Sequence, residues 1–195
     1  MRQVDKSRRR LLIAATGIAG GVGMAGAAVP FIASMFPSER AKAAGAPVLA
    51  DIRELAPGAL RIVAWRGKPV WILRRTEAML ADIRADDALV SDPHSDVPQQ
   101  PDYARNEFRS IKPTIAVLVG VCTHLGCSPQ FRSAEEKAQM GQGWNGGFFC
   151  PCHGSKFDLA GRVLRGSPAP TNLVVPPYAF LSDDKIIIGS DVKPA

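Results

Sequence analysis

The longest apolar stretch lies near the start of the chain. No charged side chain occurs in the 26 residues from Leu11 to Phe36, which as a helix would extend about 39 Å. Because the hydrocarbon core of a bilayer is about 30 Å thick, this length predicts one N-terminal transmembrane helix over residues 11–36. Glycine and alanine recur in it at four-residue intervals, a spacing that lets helices pack closely in lipid.

Residues 48–195 have a different pattern, in which short apolar runs alternate with glycine and proline turns. Leu60–Trp65 and Val70–Leu73 flank a turn at Arg66-Gly67, which predicts a hairpin. Residues 76–85 have helical periodicity, with Thr76 as the N-cap. Further strands are predicted at Thr114–Val121, Gly147–Phe149, Leu173–Val175 and Lys185–Gly189. The predicted fold class is all-β, an antiparallel sandwich or barrel, plus the N-terminal helix.

Two segments lack a regular pattern. Residues 91–113 contain four prolines with several Asp and Ser residues, which predicts an irregular surface excursion. Residues 37–47 are small, polar and alanine-rich, and we interpret them as a hinge in which Gly45 offers a pivot and Pro47 closes the segment. This hinge is either a flexible tether or one more helical turn in water, and the sequence leaves both open.

The net charge of +6 is concentrated at the N-terminus. Residues 1–10 hold five basic residues and one acidic residue, a charge of 5 − 1 = +4, so the rest of the chain carries only +2. Charge in a terminal cluster, rather than on a basic face, argues against nucleic-acid binding. By the positive-inside rule, the cluster predicts a cytoplasmic N-terminus for residues 1–10 and a periplasmic domain beyond the helix.

Ser7–Leu12 resembles the twin-arginine export signal, which moves proteins that have already folded. This route suits a protein whose cofactor must be installed before export. The alternative is a cleaved signal peptide, with cleavage at Ala41–Ala43 or Ala44–Ala46. Because the apolar run exceeds the 7–15 residues of an ordinary signal-peptide core, a retained anchor is favoured.

All four cysteines and two of the three histidines lie between residues 122 and 153. They occupy two short loops, Cys122-Thr-His124-Leu-Gly-Cys127 and Cys150-Pro-Cys152-His153-Gly-Ser155. Such bunching in a domain without other cysteines predicts a metal site, a disulfide, or both.

Three kinds of site are compatible with these residues. Structural zinc prefers C-x₂₋₄-C with H-x₃₋₅-H, and the mixed Cys-x-His and Cys-x-x-His pairs fit it poorly. A purely disulfide framework leaves both histidines unexplained. A 2Fe–2S cluster with two cysteines on one iron and two histidines on the other accounts for every residue. Its ligands would be Cys122, His124, Cys150 and His153, and a disulfide between Cys127 and Cys152 would then tie the loops together, as an oxidising compartment permits.

Both loops resemble those of the Rieske proteins of cytochrome bc complexes. The similarity extends through Gly161–Val163 and Gly166–Pro170, which resembles the proline-rich loop of the family, and it includes the anchor and the hinge. The resemblance implies an antiparallel β-sandwich base with a smaller cluster-binding subdomain at about residues 120–172. It also implies one 2Fe–2S cluster and a dimeric complex in the bacterial inner membrane, in which a cytochrome b subunit and a c-type cytochrome subunit are partners and ubiquinol is oxidised.

The resemblance also implies roles for individual residues. His153 would accept the hydrogen bond from quinol and take its proton with the first electron. Leu125 would shield the cluster and face the quinol pocket, the alternative being ordinary loop packing. Ser155 matches a family donor directed at a bridging sulfide. Phe157 stands where many relatives have a tyrosine whose hydroxyl bonds a ligand cysteine sulfur, and phenylalanine cannot donate.

These ligands suit quinol oxidation chemically. Two neutral imidazoles in place of two thiolates remove negative charge, so the reduction potential rises far above that of an all-cysteine cluster. Reduction adds negative charge and so raises the proton affinity of the distal imidazole nitrogens, which couples electron and proton uptake. His94 lies outside both loops and is predicted to be a solvated surface histidine.

The extra pair, Cys127 and Cys152, favours the high-potential, quinol-oxidising branch, because Rieske ferredoxins and ring-hydroxylating oxygenases, as families, keep only the four ligands. The 22 residues between Cys127 and Cys150 exceed the spacing expected of mitochondrial relatives, which predicts a surface insertion at Ser128–Gly147. The alternative function is that of an exported Rieske subunit of another oxidoreductase, such as arsenite oxidase. A zinc-stabilised β-domain without redox activity is the alternative from a different class.

Overall fold

The computed structural model of the chain describes residues 5–133, 136 and 143–191. The chain forms two compact units, one of residues 1–43 and one of residues 44–195.

The first unit is dominated by helix α1, Lys6–Ser34, whose 29 residues extend about 44 Å. It begins before the predicted Leu11 because Asp5 caps it, the carboxylate accepting from the backbone N–H of Ser7 at 2.9 Å. It ends two residues before Phe36. None of its side chains is buried, and by length and composition it is able to cross a membrane.

The predicted hinge contains a second helix, α2, Glu39–Ala44. The Ser38 hydroxyl accepts from the backbone N–H of Ala41 at 3.2 Å and so caps it. Of the two alternatives that the sequence left open for residues 37–47, the structure therefore has the helical turn.

The described part of the second unit contains three antiparallel sheets of three strands each. The strands are β1 Val48–Asp51, β2 Leu60–Trp65, β3 Lys68–Arg74, β4 Ile115–Val119, β5 Gln130–Arg132, β6 Gly147–Phe149, β7 Lys156–Phe157, β8 Tyr178–Ser182 and β9 Lys185–Ile188. Their orders are β1-β9-β8, β2-β3-β4 and β5-β6-β7. The predicted all-β class is confirmed. One helix, α3, Glu77–Ala85, follows β3.

The hairpin and the helix of the second unit follow the sequence closely. Strands β2 and β3 pair across a two-residue turn in which Arg66 and Gly67 have φ of 51° and 71°. Two successive positive φ values match the twist of the flanking strands. Thr76 caps α3, its side chain accepting from the backbone N–H of Met79. Both predictions are confirmed.

The predicted strand at Leu173–Val175 is wrong. The segment is extended, but its backbone bonds go to three different segments rather than to one ladder partner. Leu173 N–H donates to Gly161 O, Val175 N–H donates to Gln99 O, and Val174 O accepts from Val119 N–H. The strands β1, β5, β7 and β8 were not predicted.

The irregular backbone predicted for residues 91–113 is confirmed, because the segment has no helix or strand apart from a 3₁₀ turn at Asp102–Ala104. The prediction that the segment lies on the surface holds only in part. Ser95, Phe108 and Arg109 are buried, and Arg109 bonds to backbone carbonyls far along the chain. The surface insertion predicted at Ser128–Gly147 is wrong at both ends, which enter the sheet β5-β6-β7. Trp144 is buried and donates from Nε1 to Phe157 O at 3.2 Å. Residues 134, 135 and 137–142 of this segment lie outside the described residues.

The core joins the sheet β2-β3-β4 to the sheet β5-β6-β7. Every residue of β4 is buried, and Trp71 of β3 stacks on Phe148 of β6 with ring centroids 4.6 Å apart. A Cβ at Gly120 would lie 2.3 Å from the Trp71 ring, so this position after β4 requires glycine. The chain leaves β4 close beneath this aromatic stack and enters the first of the two cysteine loops.

Candidate iron–sulfur site

The first cysteine loop, residues 122–127, closes on itself. Cys122 N–H donates to Cys127 O at 2.7 Å, and Gly126 N–H donates to Cys122 O at 3.1 Å. The return requires a left-handed residue, and Gly126 has φ of 83°. The middle residues of the loop therefore project away from the strand end.

The second cysteine loop, residues 150–155 between β6 and β7, repeats this geometry. Cys150 N–H donates to Ser155 O at 2.8 Å, and Gly154 N–H donates to Cys150 O at 2.9 Å. Gly154 has φ of 79°. Both loops thus have the same hydrogen-bonded rings, with a cysteine at the first position and glycine at the fifth.

The four cysteines fall into two pairs. Cys127 and Cys152 form a disulfide that joins the two loops, the pairing that the sequence predicted. Cys122 and Cys150 are free thiols, 3% and 2% exposed. The sulfurs of Cys127, Cys150 and Cys152 lie within 4.8 Å of one another. Because two of these are bonded to each other, only the Cys150 sulfur of that group is available to a metal.

The two histidines meet on the outer side of the site. The rings of His124 and His153 pack edge to face, with centroids 4.8 Å apart and planes at 87°. His153 is exposed and His124 is half-buried. The site therefore has thiols on its inner side and imidazoles on its outer side.

The surroundings of the Cys150 thiol favour its neutral form. Burial raises the pKa of the Cys150 thiol, and its hydrogen bond with the Cys122 side chain raises the pKa further. The backbone N–H groups of Cys152 and His153 act in the opposite direction and favour the thiolate. Two buried thiols side by side become thiolates together when a metal ion supplies positive charge.

The donor set fits a Rieske-type 2Fe–2S cluster. Cys122, His124, Cys150 and His153 are able to supply two sulfurs for one iron and two nitrogens for the other. A framework in which all four cysteines are disulfide-bonded is excluded, since two of them are free.

A third segment holds both cysteine loops. Ala169, in the proline-rich Gly166–Pro170, donates its backbone N–H to the Ser155 hydroxyl at 3.0 Å. The Thr123 hydroxyl donates to Thr171 O at 2.7 Å. The roles of Thr123 and Ala169 could not be predicted from the sequence, because no motif specifies which backbone group a hydroxyl will meet.

The remaining predicted residues lie either at the surface or in the core. Leu125 is 71% exposed at the tip of the first loop, which is inconsistent with ordinary loop packing. Ser155 and Phe157 are fully buried. His94 is exposed, as predicted.

Comparison with known proteins agrees with this geometry. Residues 46–179 match the family described as "Rieske [2Fe-2S] domain", and residues 2–38 match "Ubiquitinol-cytochrome C reductase Fe-S subunit TAT signal". The ubiquinol-cytochrome c reductase iron-sulfur subunit of Allochromatium vinosum is 57% identical, with 96% of this chain and 91% of that protein covered. The subunit of the same name from Bradyrhizobium diazoefficiens is 44% identical, with 94% of each covered.

Among solved structures, a chain of a hyperthermophilic respiratory Complex III is 28% identical, with a TM-score of 0.47 over 89% of this chain and 97% of that one. The fold and the donor set define a Rieske iron–sulfur domain with one 2Fe–2S cluster as its cofactor. The chain belongs to the family of ubiquinol–cytochrome c reductase iron–sulfur subunits. It is a membrane-anchored subunit of an oxidoreductase.

Proposed function

We propose that this chain takes one electron and one proton from ubiquinol and passes the electron to a c-type cytochrome subunit. The observation that carries this proposal is the orientation of the site. The His124 and His153 rings meet at the surface, while the free thiols are buried. A quinol hydroxyl is able to approach from the imidazole side only.

The proposed ligands are Cys122 and Cys150 for one iron and His124 and His153 for the other. When bound, the cluster supplies one-electron redox chemistry at a high potential. The Cys127–Cys152 disulfide holds the two ligand loops at a fixed separation. The Ser155 hydroxyl accepts from Ala169 N–H, which leaves its own proton free to be donated toward the cluster.

His153 has the chemical role of hydrogen-bond and proton acceptor. Its ring is exposed, so one nitrogen is able to face a substrate while the other binds iron. EPR of the reduced cluster in membranes, with and without an inhibitor of the quinol site, tests this contact. The g values should shift when the inhibitor is bound, and an unchanged spectrum would contradict the proposal.

Leu125 forms the apolar part of the proposed quinol contact. Leu125→Ala should slow quinol oxidation in membranes without changing the midpoint potential, because the side chain is exposed beside the ligands and is not one of them. Leu181→Ala, at an exposed leucine on β8, is the matched control and should leave the rate unchanged. Equal rates in Leu125→Ala and wild type would argue against a docking role.

We also propose that α1 is a retained single-pass anchor, with a cytoplasmic N-terminus and the Rieske domain in the periplasm of the bacterial inner membrane. The basic residues in its first turns and its length support this orientation. The mature protein should then begin near residue 1 and resist carbonate extraction. Mature protein that begins near Ala44 and is soluble would overturn this topology.

The partners proposed are a cytochrome b subunit and a c-type cytochrome subunit in a dimeric complex. Residues 37–47, with the short helix α2, are proposed to be the hinge on which the domain moves between them. Co-purification of this chain with b- and c-type haems tests the assembly. The named relatives favour this function over that of an arsenite oxidase subunit.

A further inference from the structure

Arg109 is a buried cation that takes no part in the ligation, the quinol contact or the membrane anchoring proposed for this chain. Its side chain is inaccessible to solvent, and its backbone has φ of 50°, a left-handed conformation that is uncommon for a residue with a side chain. Such a conformation persists where the surroundings determine it strongly. Burial lowers the pKa of Arg109 to about 10, so the guanidinium remains charged at neutral pH.

Three of the four hydrogen bonds of Arg109 go to backbone oxygens at the two ends of one segment. Nη1 donates to Ala160 O at 3.2 Å and to Gly161 O at 3.4 Å, where residues 161–173 begin. Nη2 donates to Leu173 O at 2.7 Å, where they end, and to the Gln100 side chain at 2.9 Å. No carboxylate among the described residues bonds to this guanidinium.

Residues 161–173 are closed at the same base by their own hydrogen bonds. Leu173 N–H donates to Gly161 O at 2.8 Å, and Val163 N–H donates to the Asn172 side chain at 2.9 Å. Arg109 therefore holds both carbonyl ends of a closed loop. A charged donor to a buried carbonyl is worth more than a neutral one, because the interior screens it weakly.

The far side of residues 161–173 contacts both cysteine loops. Ala169 N–H fixes the Ser155 hydroxyl of the second loop, and Thr171 O fixes the Thr123 hydroxyl of the first. A displacement at the base of the segment would therefore reach the hydrogen-bond donors beside the cluster.

We propose that Arg109 is a positioning residue for the cluster, which acts by holding the base of residues 161–173 so that Ala169 and Thr171 stay in register with the two cysteine loops. Its loss frees the Ser155 hydroxyl from a fixed direction and also removes a buried positive charge. Both changes make the reduced cluster less favourable, so the midpoint potential falls. The inference rests on the cluster of the family and on the tuning role proposed for Ser155, and it is independent of the quinol step.

Arg75 provides a matched control within the same core. It is also buried, its pKa is also lowered to about 10 by burial, and it also donates to neutral carbonyls, those of Phe108 and Pro113, each at 2.9 Å. It makes no hydrogen bond to residues 161–173. Replacement of either arginine should therefore cost stability. Arg109 bonds to residues 161–173 directly, whereas Arg75 bonds to Phe108, the residue before Arg109, so the cluster should be affected more by loss of Arg109.

The test compares Arg109→Met, Arg109→Lys and Arg75→Met in the full-length protein with its cluster, purified in detergent. EPR-monitored redox titration gives the midpoint potential and the g values, and thermal unfolding gives stability. Both Met variants should unfold at a lower temperature than wild type. Arg109→Met should lower the potential and shift the g values, and by more than Arg75→Met does. Arg109→Lys, which keeps the charge but not the two-nitrogen fork of the guanidinium, should recover part of both.

Arg109→Met with wild-type potential and g values would overturn the inference, as would an equal shift in Arg75→Met. If Arg109→Met does not assemble a cluster, the pair Arg109→Lys and Arg75→Lys decides. A change in potential and g values that is larger in Arg109→Lys than in Arg75→Lys supports positioning. Wild-type values in both variants, or equal changes in both, overturn it. A loss of the quinol-site inhibitor effect on EPR, without these shifts, would concern the proposed function alone.

Discussion

The substitution Phe157→Tyr tests how the chain tunes its cluster. Phe157 is fully buried on β7, in the same apolar core as Cys122 and Cys150. The substitution adds a hydroxyl where water cannot reach it. We expect the midpoint potential to rise by roughly 40 mV, because a net hydrogen bond to a ligand sulfur stabilises the reduced form by about 1 kcal/mol, and about 59 mV corresponds to a tenfold change for one electron.

The burial of Phe157 makes the alternative measurable as well. If the new hydroxyl finds no acceptor, it remains unpaired in the core and lowers the free energy of unfolding by about 1–3 kcal/mol, with no change in potential. Phe148→Tyr is the matched control. Phe148 is equally buried, lies opposite Phe157 in the pairing of β6 with β7, and stacks on Trp71. It should lose stability without a shift in potential.

Protein-film voltammetry on the two tyrosine variants and on Ser155→Ala gives the three potentials. The potential of Ser155→Ala should lie below that of wild type, because the change removes the hydroxyl proposed to donate toward the cluster. The potential of Phe157→Tyr should lie above it. Faster quinol oxidation should accompany the higher potential. The hydrogen-bond account is refuted if the tyrosine introduced by Phe157→Tyr is ordered in place of the phenylalanine and the midpoint is unchanged.

Three further predictions concern the ligands, the disulfide and a buried carboxyl. Replacement by Ala of any one proposed ligand, Cys122, His124, Cys150 or His153, should abolish the Rieske EPR signal, while His94→Ala should keep it. An intact signal in His124→Ala would contradict the ligand assignment. Cys127→Ser or Cys152→Ser should leave a labile cluster of lower potential, with about 3 kcal/mol of stability lost for a 25-residue separation; a variant as robust as wild type would contradict this. Burial raises the pKa of Asp86 from 3.8 to about 6. Between these pH values the folded chain keeps a proton that the unfolded chain releases, so the free energy of unfolding falls as pH rises from about 4 to about 6. In unfolding measurements, Asp86→Asn should remove this fall and, at pH 8, be more stable than wild type by up to about 3 kcal/mol. Parallel pH profiles of stability in the variant and wild type would show that Asp86 is not responsible.

The ligand loops could be predicted from sequence because their chemistry is local. A cysteine and a histidine within three residues form half of the donor set, and both halves occur intact. The hairpin at Arg66-Gly67 and the cap at Thr76 are local in the same sense. Strands β5 and β7, of three and two residues, are too short for a period of two to stand out from chance.

The burial of Arg109 could not be predicted for the opposite reason. An arginine among prolines, Asp and Ser has the composition of a surface loop, and only tertiary structure brings acceptors to it. Those acceptors lie 51, 52 and 64 residues away along the chain. The strand predicted at Leu173–Val175 is wrong for a related reason, because the backbone of this segment bonds to three separate stretches of the chain.

The orientation of the site follows from where each loop begins. Cys122 comes after β4, every residue of which is buried, and Cys150 comes directly after β6, so both first-position cysteines remain in the core. Each loop then turns outward and returns at a left-handed glycine, which leaves the histidines on the outer side. Because the side that meets solvent is the one able to bind and release a proton, the loop geometry itself favours electron transfer coupled to proton transfer. An inverted order, with histidine first and cysteine in the turn, would bury the imidazoles and remove that coupling.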